Sequence, residues 1–212
     1  MRGSPAADAL TDDQTGGFLA LLDPNRSLWV AATSPPRYPD LSGRSEADVV
    51  VVGGGITGLT TALLLAERGV SVVLVEAARL CAGTTGYTSA KVTSLHSLTY
   101  ARLVGEVGEE KARLYAGANQ AAIEQVAAWV ESLAIDCQFT RAAAYTYTSD
   151  RSQRAAIEAE VSAARALGLP ASFTRETDLP YPVEAAVRFD NQAHFHPYRY
   201  AVGLASAIEA AG

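Results

Sequence analysis

Between residues 47 and 76 the hydrophobic pattern changes period twice. Ala47–Val52 is a short, β-branched apolar run, the pattern of a strand buried in a parallel sheet. Over Ile56–Arg68 the apolar positions return at helical spacing, with Leu59, Leu63 and Ala66 on one face, and Gly69 stands where a C-cap glycine belongs. Val70–Glu76 reads as a second buried strand. Strand, helix and strand within about thirty residues predict a βαβ unit.

Downstream, the Gly-, Thr- and Ser-rich segment from Leu80 to Tyr100 predicts a loop leading into a helix start. Gly108–Leu133 carries the longest helical pattern, an apolar stripe through Leu114, Ala118, Ala122, Val126, Trp129, Val130 and Leu133. Cys137–Thr148, with Phe139, Tyr145 and Tyr147, predicts a strand, and at most one of the two tyrosines is expected to line a pocket. Asp150 is placed to cap a helix that runs to Gly168. Short strands are expected around Phe173 and over Val187–Phe189, and Pro197 opens a last helix ending near Ala210. Residues 1–46, with Pro24, Pro35, Pro36 and Pro39, predict an extended leader arm that Trp29 and Tyr38 could pin to the body.

Composition narrows the function. Apolar residues make up 49% of the 212 and charged ones 19%, as in ordinary globular proteins, and the length allows one large domain or two small ones. A net charge of −6 argues against nucleic acid or an anionic membrane as the main partner. The start, MRGSPAADALTDDQTGG, lacks the basic and apolar regions of a secretory signal, and no apolar run is long enough to cross a bilayer. Cys81, Cys137 and the three histidines have no metal-ligand spacing. A cytoplasmic protein with free thiols is the expectation.

The chemistry centres on GGGITG, which fits G-x-G-x-x-G through Gly53, Gly55 and Gly58. That spacing alone is weak, but here a strand precedes it, a helix follows, and a second strand ends in an acid. Gly53 permits the tight turn, Gly55 clears space for a pyrophosphate, and Gly58 lets helix and strand pack closely. The helix N-terminus offers N–H groups and partial positive charge to phosphates. Glu76 can accept hydrogen bonds from both hydroxyls of an adenosine ribose and would repel a 2′-phosphate. The plainer reading is an empty βαβ unit with a surface acid; the four elements in register favour dinucleotide binding. Gly83–Thr93, GTTGYTSAKVT, adds hydroxyls and another glycine pair that can wrap the pyrophosphate from its other side, which an NAD-dependent reductase leaves unexplained.

Here the chain resembles the FAD-dependent oxidoreductases of the D-amino-acid oxidase and glycine oxidase superfamily, and within it bacterial flavoproteins that carry a C-terminal Rieske domain. The matching pieces, VVVGGGITGLTTALLLAERG, VVLVEA, GTTGYTSAKVTSLH, GEEKARLYAGANQAAIE and AAVRFDNQAHFHP, occur in family order. The resemblance implies an α/β fold: an incomplete Rossmann-type FAD-binding βαβ domain (47–95 and 190–212) with an inserted α+β substrate domain (96–189). It implies FAD contacts from Gly53, Gly55, Ile56, Thr57, Gly58, Glu76, Ala77, Gly83, Thr84 and Thr85, with Ala90, Lys91 and Val92 near the flavin ring. It implies oxidation of a small-molecule amine or amino acid, the hydride passing to flavin. Family members continue beyond the equivalent of Gly212, so a further C-terminal portion or a partner chain is expected to complete the site. Cys81 stands where a small residue is expected, and His194 where an amide is commoner.

No residue reads as an obligatory catalytic base. His96, His194 and His196 are the neutral-pH candidates, with His196 expected to position the last helix. Lys91 could favour a reduced, anionic flavin, and is otherwise a solvated lysine. Cys81 reads as packing before covalent flavin attachment. The competing function is a truncated, non-catalytic FAD-fold module that binds a nucleotide or a partner.

Overall fold

The computed structural model describes residues 27–34 and 36–211, so expectations for residues 1–26 lie outside it. The chain forms two compact units, Met1–Thr88 with Pro197–Gly212, and Ser89–His196.

In the first unit β1 (Val49–Val52) and β2 (Val72–Val75) pair in parallel, from Val49 opposite Val72 to Val52 opposite Val75. Between them runs α2 (Ile56–Ala66), preceded in the chain by α1 (Leu28–Ala31). Helix α2 buries Leu59, Ala62 and Leu63 and packs against the C-terminal helix α6 (Pro197–Ala210). Gly69, at φ +75°, supplies the left-handed residue that ends the first crossover. Two expectations change here. The segment at Leu28–Ala31 is a helical turn, capped by Ser27, whose hydroxyl accepts from Trp29 N; Trp29 Nε1 in turn donates to Thr88 O at 2.8 Å. The strands are also not fully buried: Val50 is 59% and Val52 81% exposed. Alternate strand residues face opposite sides, and among the described residues α2 covers only the Val51 side.

The second unit is an antiparallel sheet with helices on one face. Its elements are β3 (Lys91–Val92), α3 (Tyr100–Val107), α4 (Glu109–Ser132), β4 (Thr140–Thr148), α5 (Arg154–Ala166), β5 (Ala171–Thr174) and β6 (Ala185–His194). Strand β6 is central, with β4 along one edge and β3 and β5 along the other. Ala185, Val187 and Phe189 of β6 face Ile157, Val161 and Ala164 of α5 and the Tyr100 ring, which stacks on Phe189.

The shorter helix α3 ends at Gly108, whose φ of +83° separates it from α4, and α4 fills the expected long helical pattern. Its buried face is Ala112, Ala116, Ile123 and Trp129, whereas Leu114 is 70% exposed. Small alanines let α4 approach α3 closely, and that tertiary demand overrides the larger stripe. Strand β6 also outruns its expected length. A register shift between Ala142 and Ala144, with Asn191 at φ +58°, marks a bulge that lets it continue to His194. Residues 89–95 and 190–196, grouped by sequence with the nucleotide-binding part, thus hydrogen bond within the second unit.

Candidate functional site

Helix α2 starts without the usual protections. Its N-cap is Gly55, which has no side chain to cap with, and its first turn holds no acidic residue. Ile56 N donates to Thr85 Oγ1 at 3.0 Å, while Thr57 N and Gly58 N have no partner among the described residues. A helix end with free N–H groups and no fixed anion is a site suited to a phosphate.

The glycines differ in what holds them. Gly53 has φ +109°, a turn that other residues rarely adopt, and its N–H donates to Val75 O at 2.7 Å. A Cβ on Gly58 would stand 2.0 Å from the carbonyl oxygen of Gly53, so helix and strand end are in direct backbone contact. A Cβ on Gly55 would meet only Thr85 Oγ1, at 3.3 Å, and its other side is open. Cys81 lies beneath the loop: its N–H donates to Gly54 O at 3.0 Å, and burial raises its thiol pKa to about 11. Its φ of +57° explains why a small residue, above all glycine, is expected there.

Glu76 closes the loop. Oε2 accepts from Gly54 N at 2.7 Å and Oε1 from Ala78 N at 3.0 Å. These bonds, the one from Gly54 foremost, hold the carboxyl below its ordinary range, so it is charged at neutral pH. Each oxygen keeps lone-pair capacity for a further donor.

Gly53, Gly55, Ile56, Thr57, Gly58, Glu76 and Thr85 therefore converge on one helix N-terminus. Ala77, Gly83 and Thr84 are exposed; the Ala77 N–H adds to the donors that lower the Glu76 carboxyl, and Thr84 and Thr85 open one 3-10 turn, Thr84–Tyr87. Ala90, Lys91 and Val92 belong to the second unit, where β3 pairs Lys91 with His194.

Residues 48–212 match the family described as FAD dependent oxidoreductase. The chain belongs to that family. It is 38% identical over 182 residues to YhfW of Bacillus subtilis, named as a Rieske 2Fe-2S iron-sulfur protein, covering 86% of this chain and 36% of that one. It is 28% identical over 190 residues to gamma-glutamylputrescine oxidoreductase of Escherichia coli, covering 85% of this chain and 44% of the relative. The chain thus spans less than half the length of these relatives. Among solved structures, glycine oxidase from Bacillus cereus superposes with a TM-score of 0.59 at 19% identity, covering 79% of this chain and 45% of that one. L-amino acid deaminase from Proteus vulgaris does so at 0.64 and 18%, covering 84% and 41%. The family's cofactor is FAD, and the uncapped helix end with Glu76 beside it fits the pyrophosphate and ribose of such a dinucleotide.

A second feature was not legible in the sequence. A cavity of about 360 Å³ lies on the second unit's sheet, lined by Lys91, Thr93, Ala142–Ala144, Tyr145, Tyr147, residues 177–179 and Gln192–His194. Both tyrosines line it, because residues two apart on a strand share a face. Gln192 is buried, and its Oε1 accepts from Thr93 Oγ1 and Ser94 N at 2.9 and 2.7 Å. In the sequence it is one of two adjacent amides, Asn191 and Gln192, in a strand that also carries Arg188 and Asp190, and nothing there marks it as buried. Of the histidines, His96 is exposed and bonds Asn119, and His196 is buried, its backbone N donating to Cys137 O. Both cysteines are buried free thiols. Among the described residues no cluster could hold a metal ion and no helix is long and apolar enough to cross a membrane.

Proposed function

We propose that this chain supplies the cofactor-binding and substrate-facing portion of a flavoenzyme that oxidises an amine or amino acid. The observation that carries it is the uncapped N-terminus of α2, with Glu76 at its side, in a chain of the FAD dependent oxidoreductase family. In this reading Thr57 N and Gly58 N bind the pyrophosphate, Gly55 gives it room, and Glu76 accepts from the ribose hydroxyls. Thr85 fixes the helix start by accepting from Ile56 N. Ala77, Gly83 and Thr84 are carried as further cofactor contacts by the resemblance alone, as are Ala90, Lys91 and Val92. FAD, when bound, supplies the acceptor for a hydride leaving the carbon that bears the amine.

The substrate class rests on the relatives' names, a gamma-glutamylputrescine oxidoreductase and a glycine oxidase among them. The domain assignment is part of the proposal: residues 47–95 with 190–212 serving the cofactor, 96–189 the substrate. So are a cytoplasmic location and completion by further chain or a partner.

A second reading, a module acting through partner binding, is favoured by the exposed apolar face at Val50 and Val52. Titration of the purified chain with FAD, followed by flavin fluorescence, separates the two. The first reading expects saturable binding that Gly55→Val abolishes while the circular dichroism spectrum persists. Absence of saturable binding, or unchanged affinity in the variant, overturns it.

A further inference from the structure

We propose that the cavity on the sheet of the second unit binds a carboxylate bearing a bulky apolar substituent, with Lys91 and His194 holding the carboxylate. This rests on the flavoenzyme reading and narrows its substrate to amino acids with large apolar side chains, as against small or purely cationic amines. The inference starts from which lining groups are already used. Gln192 Oε1 takes bonds from Thr93 and Ser94, and its Nε2 donates to Asp190 O. Thr93 Oγ1 donates to Gln192 and accepts from Leu95 N. The Tyr147 hydroxyl is bonded to that of Tyr181 at 2.7 Å. These polar groups are spent within the protein.

Besides the hydroxyls of Tyr145 and Thr177, what the cavity still offers is of two kinds. One is apolar: three successive alanines, Ala142–Ala144, the side chain of Leu179 and two tyrosine rings. The rings are held in place, Tyr147 by its hydroxyl bond and Tyr145 by the Arg188 guanidinium 5.8 Å from its centroid. Alanines at the bulge leave space that larger residues would fill, and the volume falls in the range of small-molecule sites. The other kind is ionisable: Lys91, His194 and Asp178 have no hydrogen-bond or ion-pair partner among the described residues. Lys91 and His194 are direct cross-strand partners in an antiparallel pair, so their side chains rise on one face as neighbours. A lysine beside a histidine at the edge of an apolar pocket is a carboxylate seat, and Asp178 supplies the opposite charge for an ammonium group. A ligand that satisfies both kinds has a carboxylate and an apolar body.

The test uses ligands that cannot be oxidised, so no turnover intervenes. Calorimetric titration with 3-phenylpropanoate and with acetate should show the aromatic acid binding at least about tenfold more tightly, a difference of about 1.4 kcal/mol. Ala143→Leu should weaken the aromatic acid by about tenfold and leave acetate unchanged. Lys91→Met and His194→Leu should each weaken both acids, and His194→Leu, at an exposed position outside the named cofactor contacts, should do so without lowering FAD affinity or thermal stability. Equal affinity for the two acids, no binding of either, or an unaltered Ala143→Leu overturns the inference. A His194→Leu variant that binds both acids as tightly as the parent also overturns it. Because the probes need no flavin, binding of phenylpropanoate without FAD binding would sink the flavoenzyme reading alone, and the reverse would sink this inference alone.

Discussion

Gly58→Ala tests the contact on which the dinucleotide-binding turn depends. By helix propensity the substitution is favourable, since alanine is better than glycine in a helix interior by about 1 kcal/mol. The structure opposes that gain. The new Cβ would lie 2.0 Å from Gly53 O and 3.1 Å from Gly53 C, against a closest ordinary approach of 3.0 Å. The obstacle is backbone at the end of β1, not a flexible side chain, so α2 must withdraw from the strand by about 1 Å or more. Overpacking of this kind costs about 1–3 kcal/mol and sometimes more, and an immovable obstacle places it at the upper end. After the propensity gain, a net loss of about 2 kcal/mol is expected. Gly117→Ala, in α4, is the control: nothing lies within 4 Å of its Cβ and its φ is ordinary, so it should gain up to about 1 kcal/mol. Urea unfolding followed by circular dichroism reads both. With m of about 2 kcal/mol/M, the Gly58→Ala midpoint should fall by about 1 M. A Gly58→Ala midpoint at or above the parent's would show that the close approach is not a constraint, and the account of this turn would be wrong.

Glu160 is wholly buried in α5 and accepts from Tyr100 N and Ala101 N, both at 2.8 Å, capping α3 from a neighbouring helix. Glu160→Ala leaves one buried and one half-buried N–H group unpaired and should cost about 3 kcal/mol by thermal or urea unfolding; a loss under about 1 kcal/mol would remove it as a cap. The carboxyl of Glu76 is held below its ordinary value of 4.5, chiefly by Gly54 N. Its contribution to stability is therefore full above that value and lost as pH falls through the lowered one, so Glu76→Gln should flatten the limb of a stability–pH curve on the acid side of the ordinary value. An unchanged acid limb would show that the Gly54 bond does not persist in solution. Because Cys81 and Cys137 are buried and Cys81 is raised to about 11, native protein at pH 8 should react with a thiol reagent far more slowly than urea-unfolded protein, which should titrate two thiols. Rapid native labelling would contradict the packing under the glycine loop.

Local chemistry made part of this protein readable from its sequence. The period change across Val49–Val75 is set by the chain's own residues, as are the left-handed Gly69 and Gly168 that end α2 and α5 and the Pro197 that opens α6. The spacing of Gly53, Gly55, Gly58 and Glu76 could be read for the same reason, since one tight turn brings them together over a short stretch of chain. Tertiary structure decided the rest. Whether α4 turns Leu114 or Ala116 inward depends on how closely its partner helix must approach, which no pattern within Glu109–Ser132 states. Glu160 is an ordinary helical acid in sequence and becomes a cap only because α3 begins beside it. The run from Asp190 to His194 joined the sheet because a bulge at Asn191 let β6 continue, and that pairing set Lys91 opposite His194 across a gap of more than ninety residues of chain. The cavity exists because that pairing, the bulge at Ala142–Ala144 and the 177–179 segment meet on one sheet. Its residues are scattered in sequence and carry no shared period, so only folding could bring them together.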